Sequence, residues 1–303
     1  MNGDTRYTRL AANLCGLAAG LMLLVLAASA FIRIEHNGCA NIAFPATLSM
    51  MFRVMHRVAA SAVGMLLIMV SYFVLNSRPV LRSRRALLLM LWVLTIFLAL
   101  LGRYTAGGTL PAIVIGNVVA GMALAALFWR LRLSFVAPAL WQRPERSLHA
   151  LAGASRSLAA FQIWLGSWSA GLAATIECRS LSAVGDLVLW PGGAAWRALN
   201  PFAPARGASQ AALQAMHWLT ALHAASAILV VATVVLLCRR LRHAAGHLQR
   251  HCPALLALLA MQVMLGLVMM VGGRILLAGV LHNIVAALLL VKLVDIHFRL
   301  RRR

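Results

Sequence analysis

Three histidines sit within long apolar runs of this chain: His56, His217 and His282. A neutral imidazole carries one N–H donor and one bare nitrogen, so it can ligate a metal while its other side hydrogen-bonds. Ligating or ionisable groups inside a membrane are costly and tend to mark function. His217 lies near the start of one run and His282 in the corresponding third of another. Two imidazoles from separate helices at one depth can hold a porphyrin iron from both faces. The small residues Ala221, Ala224, Ala225, Gly279, Ala286 and Ala287 would leave room for such a ring. The same pair reads equally as two polar side chains hydrogen-bonded between helices.

Other residues have weaker cases. His223 follows His217 by six positions, so it should face another way and pack between helices. His243, His247 and His251 stand at i, i+4 and i+8, a ladder that could bind a metal, but their arginine neighbours favour a solvated basic face. Arg53, Arg57, Arg103 and Arg274 flank the apolar runs, where they could pair with propionates or simply snorkel to the interface. Glu35, Glu177 and Asp186 are the carboxylates available on that side for acid–base work.

The elements that must position these groups follow from composition. The chain has 303 residues, 62% of them hydrophobic and 11% charged, with a mean hydropathy of +0.87. A soluble domain is about 45–50% apolar and about 25% charged. This excludes a soluble enzyme, a disordered chain and a disulfide-rich secreted module. The net charge of +22 comes mostly from arginines clustered between apolar runs, which marks membrane topology rather than nucleic-acid binding. No CxxC occurs among the five cysteines, so a zinc ribbon or thioredoxin-like site has no support.

A membrane-spanning helix needs roughly 20 apolar residues. Eight segments qualify: 11–31, 52–75, 86–102, 111–129, 158–176, 213–237, 254–272 and 275–294. With both termini inside, the inner segments hold twenty Arg and Lys against eight outside, which fixes the cytoplasmic side. The first apolar run is too long for a signal-peptide core and is expected to be retained. The terminal HFRLRRR reads as an inner-surface anchor facing anionic lipid.

The chain also repeats itself. MHRVAASAVGMLL in the second segment resembles MHWLTALHAASAIL in the sixth, and IGNVVAGMALAAL in the fourth resembles LHNIVAALLLVKL in the eighth. The second pairing sets Gly116 opposite His282 and Asn117 opposite Asn283. The expected fold is therefore an all-α integral membrane protein of eight transmembrane helices in two parallel four-helix repeats. The halves would cover 1–131 and 158–303, joined by a cytoplasmic linker at 132–157. Gly116 cannot ligate, so the first half offers one evident axial ligand, His56, where the second offers two. Loops 32–51 and 177–212 are the longest and lie outside; each carries one cysteine, Cys39 or Cys178.

Taken together, MHRVAASAVG, FQIWLGSW, MHW, AMQVMLGLV and LHNIVAALLL, in this order and spacing, resemble the haem A synthase (CtaA-like) family over nearly the whole chain. The resemblance implies oxidation of a haem O methyl group to the formyl of haem A, with a b-type haem held between two second-half histidines, here His217 and His282. It implies a substrate pocket in the first half, formed by a histidine pair and a glutamate three residues before the first of them. Here His56 keeps the first histidine, while Arg53 replaces the glutamate and Gly116 (or Asn117) the second histidine. Ala170 replaces an arginine of the fifth helix, and HR in the sixth has become HW. The family's outer-loop cysteine pair is reduced to Cys39 and Cys178, which could pair across the outer face.

Two functional expectations follow. One is a haem A synthase-like oxidoreductase, with His56 and Glu35 as candidate catalytic groups, His217 and His282 as iron ligands, and Arg274 and Arg53 toward the propionates. The other is a non-catalytic haem b-binding protein serving as accessory, carrier or electron-transfer subunit. In both, the haem sites lie toward the outer face of a bacterial inner membrane. Haem O synthase or terminal oxidase assembly factors are the expected partners, and nucleic acid is not. A transporter-like bundle lacks support, because matching broken helices are absent.

Overall fold

The structure is a computed structural model and describes residues 2–36, 45–76, 82–104, 110–136, 146–173, 192–203, 209–243, 248–271 and 275–300. Among them the protein is all-helical. The helices are α1 (Asn2–His36), α2 (Ala46–Asn76), α3 (Arg82–Tyr104), α4 (Pro111–Val136), α5 (Arg146–Ala173), α6 (Gly193–Ala198), α7 (Gln210–Arg242), α8 (Cys252–Val271) and α9 (Leu276–Arg299). A 3-10 turn over Gln249–His251 leads into α8.

Seven helices are long and apolar enough to cross a membrane: α1 to α4 and α7 to α9. The remaining expected segment, 158–176, falls on α5. That helix is 28 residues long but carries Arg146, His149, Arg156 and Gln162 along with several serines, and it does not reach the same apolar density. It is nevertheless packed firmly among the others. The helices outrun the apolar segments, because a helix continues past the lipid boundary for as long as its backbone is satisfied internally.

Pairs at matching helix ends fix the alternation of direction. Tyr7 meets Phe73 and the Arg84 guanidinium donates to the Ser134 carbonyl on the side that holds both termini. Phe31 stacks on Phe52, and Gly171 lies against Pro111, on the opposite side. Neighbours in the first ring are α1 with α2, α2 with α3, α3 with α4 and α4 with α1. The same order holds for α5, α7, α8 and α9. The rings join through α1 and α4 against α5 and α9. Each ring has its own apolar core, one around Leu67, Leu91, Phe128 and Leu131, the other around Leu237, Leu241, Leu255 and Leu293. A third cluster bridges them, with Leu26 and Met122 against Ala287 and Leu290.

The loop expected at 177–212 contains an element that hydropathy does not reveal. Helix α6 packs on α7, and the turn after it brings the Pro201 carbonyl to accept from Ala112 N–H at 2.9 Å. The α4 N-terminus thus finds a backbone acceptor in the other ring. Likewise the 132–157 segment is largely helical at its ends, as α4 runs to Val136 and α5 begins at Arg146.

Candidate functional site

The polar groups of the second ring cluster around two imidazoles. His223 on α7 meets Gln162 on α5. The Gln162 amide nitrogen donates to the His223 carbonyl at 2.9 Å and lies 3.3 Å from His223 Nε2. The Ser226 hydroxyl, within 3.0 Å of the His223 carbonyl, also donates to Gln162 Oε1. On the other side of the ring, Gln262 on α8 places its amide nitrogen 3.0 Å from His282 Nε2 on α9. Helices α7 and α9, which carry the two imidazoles, stand on opposite corners of the ring with little or no direct contact between the described residues of the two helices.

Each imidazole is seated over a glycine. A Cβ at Gly166 would fall 2.7 Å from His223 Cε1, and one at Gly266 would fall 3.5 Å from His282 Cε1. Gly166 follows Gln162 by four residues, and Gly266 follows Gln262 by four, so glutamine and glycine lie on one helix face a turn apart. The local sequences are QIWLG and QVMLG. At Gly166 only hydrogen leaves space for the ring, whereas a methyl at Gly266 would make an ordinary contact.

Three buried polar atoms in this cluster lack a hydrogen-bond partner: His223 Nδ1, His282 Nδ1 and Gln262 Oε1. Leaving such atoms unpaired costs about 1–3 kcal/mol each.

The structure places the sequence candidates as follows. His282 lies against Gln262 of α8 and His223 against Gln162 of α5. His217 is half-buried on α7, about 9 Å further along the axis and about 120° around it from His223. Of the expected small residues, Gly279 is covered by Ile34 of α1, and Ala286 and Ala287 join the cluster between the rings, so none of the three opens toward the imidazoles. Arg274, Cys39, Cys178, Glu177, Asp186 and His247 lie outside the described residues.

In the first ring His56 is half-buried on α2, and Arg53 and Arg57 are exposed. The Phe31–Phe52 stack sets the register of α1 against α2. Glu35 is one turn beyond Phe31 and His56 one turn beyond Phe52, in opposite directions. That separates them by roughly 12 Å along the helix axes, at about 1.5 Å per residue. The structure does not bring the two together. A Cβ at Gly116 would fall 2.7 Å from Leu101 and 3.3 Å from Phe97, so α3 side chains fill the place across from it. The α3 segment LALLG also has Leu98 where α5 and α8 have glutamine.

The histidine ladder does not form one face. His243 ends α7 exposed, while His251 is 8% exposed and puts Nδ1 3.5 Å from Asp295 Oδ2. Arg299 Nε donates to Asp295 Oδ1 at 2.9 Å, and the rings of His149 and His297 meet nearby at 4.4 Å. Thus His251 is part of a buried ion-paired cluster, not a solvated face. No group of three metal-ligating side chains occurs among the described residues.

An apolar bundle of crossing helices long enough to span a bilayer defines a polytopic α-helical membrane protein. The chain belongs to the COX15-CtaA family, whose model, described as cytochrome oxidase assembly protein, matches residues 47–294. That match begins in the first turn of α2 and ends in the last turns of α9. No curated protein matches the chain. Sequence reasoning passed over Gln162 and Gln262, while the expectation that His223 packs between helices holds, against Gln162 of α5. The signal was present in the twice-occurring Q-x-x-L-G, which is visible only when α5 is compared with α8 instead of one half with the other.

Proposed function

We propose that this chain plays a haem A synthase-like role in cytochrome oxidase assembly, and that its second ring is a haem b site with His217 and His282 as the axial ligands. The observation that carries this reading is the family match over residues 47–294, with the two histidines on separate helices of one ring, α7 and α9. When bound, a b-type haem would supply one-electron transfer at this site. The chain's own residues would hold the iron, and the surrounding apolar helices would exclude water. The eight long helices, α5 included, form two parallel four-helix halves over 1–131 and 158–303, and the equal neighbour order of the two rings supports this. Both termini are cytoplasmic by the arginine distribution, in a bacterial inner membrane, and the haem lies in the outer part of the bundle.

In the first half His56 is the group that would meet a haem O substrate. Family membership supports methyl oxidation there. A specific observation favours the second reading, a non-catalytic haem b protein acting as accessory, carrier or electron-transfer subunit. Phe97 and Leu101 fill the place across from Gly116, and Arg53 is exposed, so the first ring has no second imidazole or carboxylate beside His56 among the described residues. Haem O synthase and oxidase assembly factors are the partners in either case.

Two measurements test this. Absorption spectra of purified protein should show a bis-histidine haem b that His217→Ala and His282→Ala each abolish and His223→Ala retains. Loss in His223→Ala with retention in His217→Ala would overturn the assignment. Chromatography of haems from membranes that also contain a haem O source decides the chemistry. Haem A or hydroxylated haem O establishes the enzyme, and untouched haem O establishes the binding protein.

A further inference from the structure

On the side that holds both termini, α5 begins and α7 ends around a recess of about 200 Å³. Ser147, Leu148 and Leu151 of α5 line it, with Leu236 and Arg240 of α7. The two helices run in opposite directions, yet each brings the same order of chemistry to the recess. Ser147 and Leu151 are one turn apart on α5, and Arg240 and Leu236 one turn apart on α7. In both, the polar residue stands nearer the helix end and the leucine one turn deeper. Leu148 closes the inner wall at 5% exposed, joined to the core around Leu237 and Leu241, while Leu236 is 45% exposed, so the recess opens sideways toward lipid. Arg146 and Arg239 are exposed beside it. Among the described residues no carboxylate pairs with Arg239 or Arg240. Glu145, the acidic residue next to this end of α5, lies outside the described residues and is matched there by Arg143.

We propose that this recess holds an anionic phospholipid of the leaflet on that side, its phosphate on Arg240 and Ser147 and its acyl chains over Leu151 and Leu236. A guanidinium offers a fork of N–H donors that matches phosphate oxygens, and the serine hydroxyl adds a donor from the facing helix. The volume decides how much of the ligand is enclosed. Sites that bury whole small molecules run to about 300–1,000 Å³, so this one takes a headgroup and the first methylenes and leaves the rest in the bilayer. An arginine that merely snorkels needs neither a recess beside it nor a hydroxyl opposite. The lipid has a structural task as well. Helix α5 is the long helix that falls short of the apolar density of the other spans. A lipid clasped between it and α7 ties its first turns to the bilayer. The site stands apart from the haem reading, since it lies at the other end of α7 from His217 and uses none of the same residues.

The test is native mass spectrometry of the full-length protein, released from nonionic detergent after equilibration with phosphatidylglycerol or with phosphatidylcholine of the same acyl chains. Phosphatidylglycerol should be retained in preference to phosphatidylcholine. Arg240→Gln should weaken that retention roughly fivefold, the attraction of one cation near an anionic lipid. Ser147→Trp fills the recess and leaves the arginine in place, and it should weaken retention at least as much. Arg242→Gln removes the same charge from the same end of α7 but outside the recess, so it should leave retention unchanged. Thermal unfolding gives a second reading. Phosphatidylglycerol should raise the unfolding temperature of the parent but not of Arg240→Gln, and inorganic phosphate should raise neither. Equal retention of the two lipids, an equal loss in Arg242→Gln, or equal stabilisation by inorganic phosphate overturns the proposal.

Discussion

Hydrogen is the smallest side chain, and at Gly166 its size is the point. A methyl there would stand 2.7 Å from the edge of His223, far inside contact distance. Gly166→Ala should therefore displace the ring and cost about 1–3 kcal/mol of stability, read by thermal unfolding in detergent. Gly64→Ala is the matched control, since nothing lies within 4 Å of its added carbon, and it should leave the unfolding temperature unchanged. At the other end of the bundle, Asp295 is 4% exposed and serves both Arg299 and His251. Asp295→Asn removes the carboxylate both lean on, and thermal unfolding in detergent should show a loss of about 1.5–3 kcal/mol. How far such residues were legible varied. His282 stood out as a polar group in an apolar run. His223 was legible as an inter-helical group from its angle to His217, but periodicity could not name Gln162 as its partner. Asp295 carries no signal of its own in the sequence, and only packing shows it buried.

Elements were more legible than contacts. Long apolar runs announced seven spans, since a span in lipid must be helical and apolar for about 20 residues. Helix α5 was harder, as its polar residues are the ones that bind neighbours: Gln162 holds His223, and Ser169 pairs with Thr220 on α7. Helix α6 escaped notice because six residues carry no usable period. The α3–α4 pair carries a prediction of its own. Gly116→His alone should not create a second haem site, because Phe97 and Leu101 already occupy the volume. The haem-to-protein ratio should stay that of the parent, and a doubled ratio would show that these side chains yield freely.

At the scale of the molecule, the net charge of +22 becomes a statement about orientation. Arginines gather on the side that holds both termini, where Arg84, Arg146, Arg239, Arg240, Arg242 and Arg299 sit at helix ends. Labelling of single cysteines introduced at exposed positions should find Arg239 and Arg146 accessible only from the cytoplasmic side, and Phe202 only from the outside. The reverse result would invert the topology. The neighbour order of the two rings was foreshadowed by the repeated motifs. Their joint through α1, α4, α5 and α9 was not, because similarity between halves says nothing of which faces meet.

That joint has a thermodynamic consequence. The helices at the centre carry 44% of their apolar spans buried in α1, α4 and α9, against 17% in α3 and 11% in α8. In lipid a helix face leaves a neighbour with little hydrophobic penalty, so cohesion rests on packing area. The bundle is therefore soft at its rim and stiff at its waist.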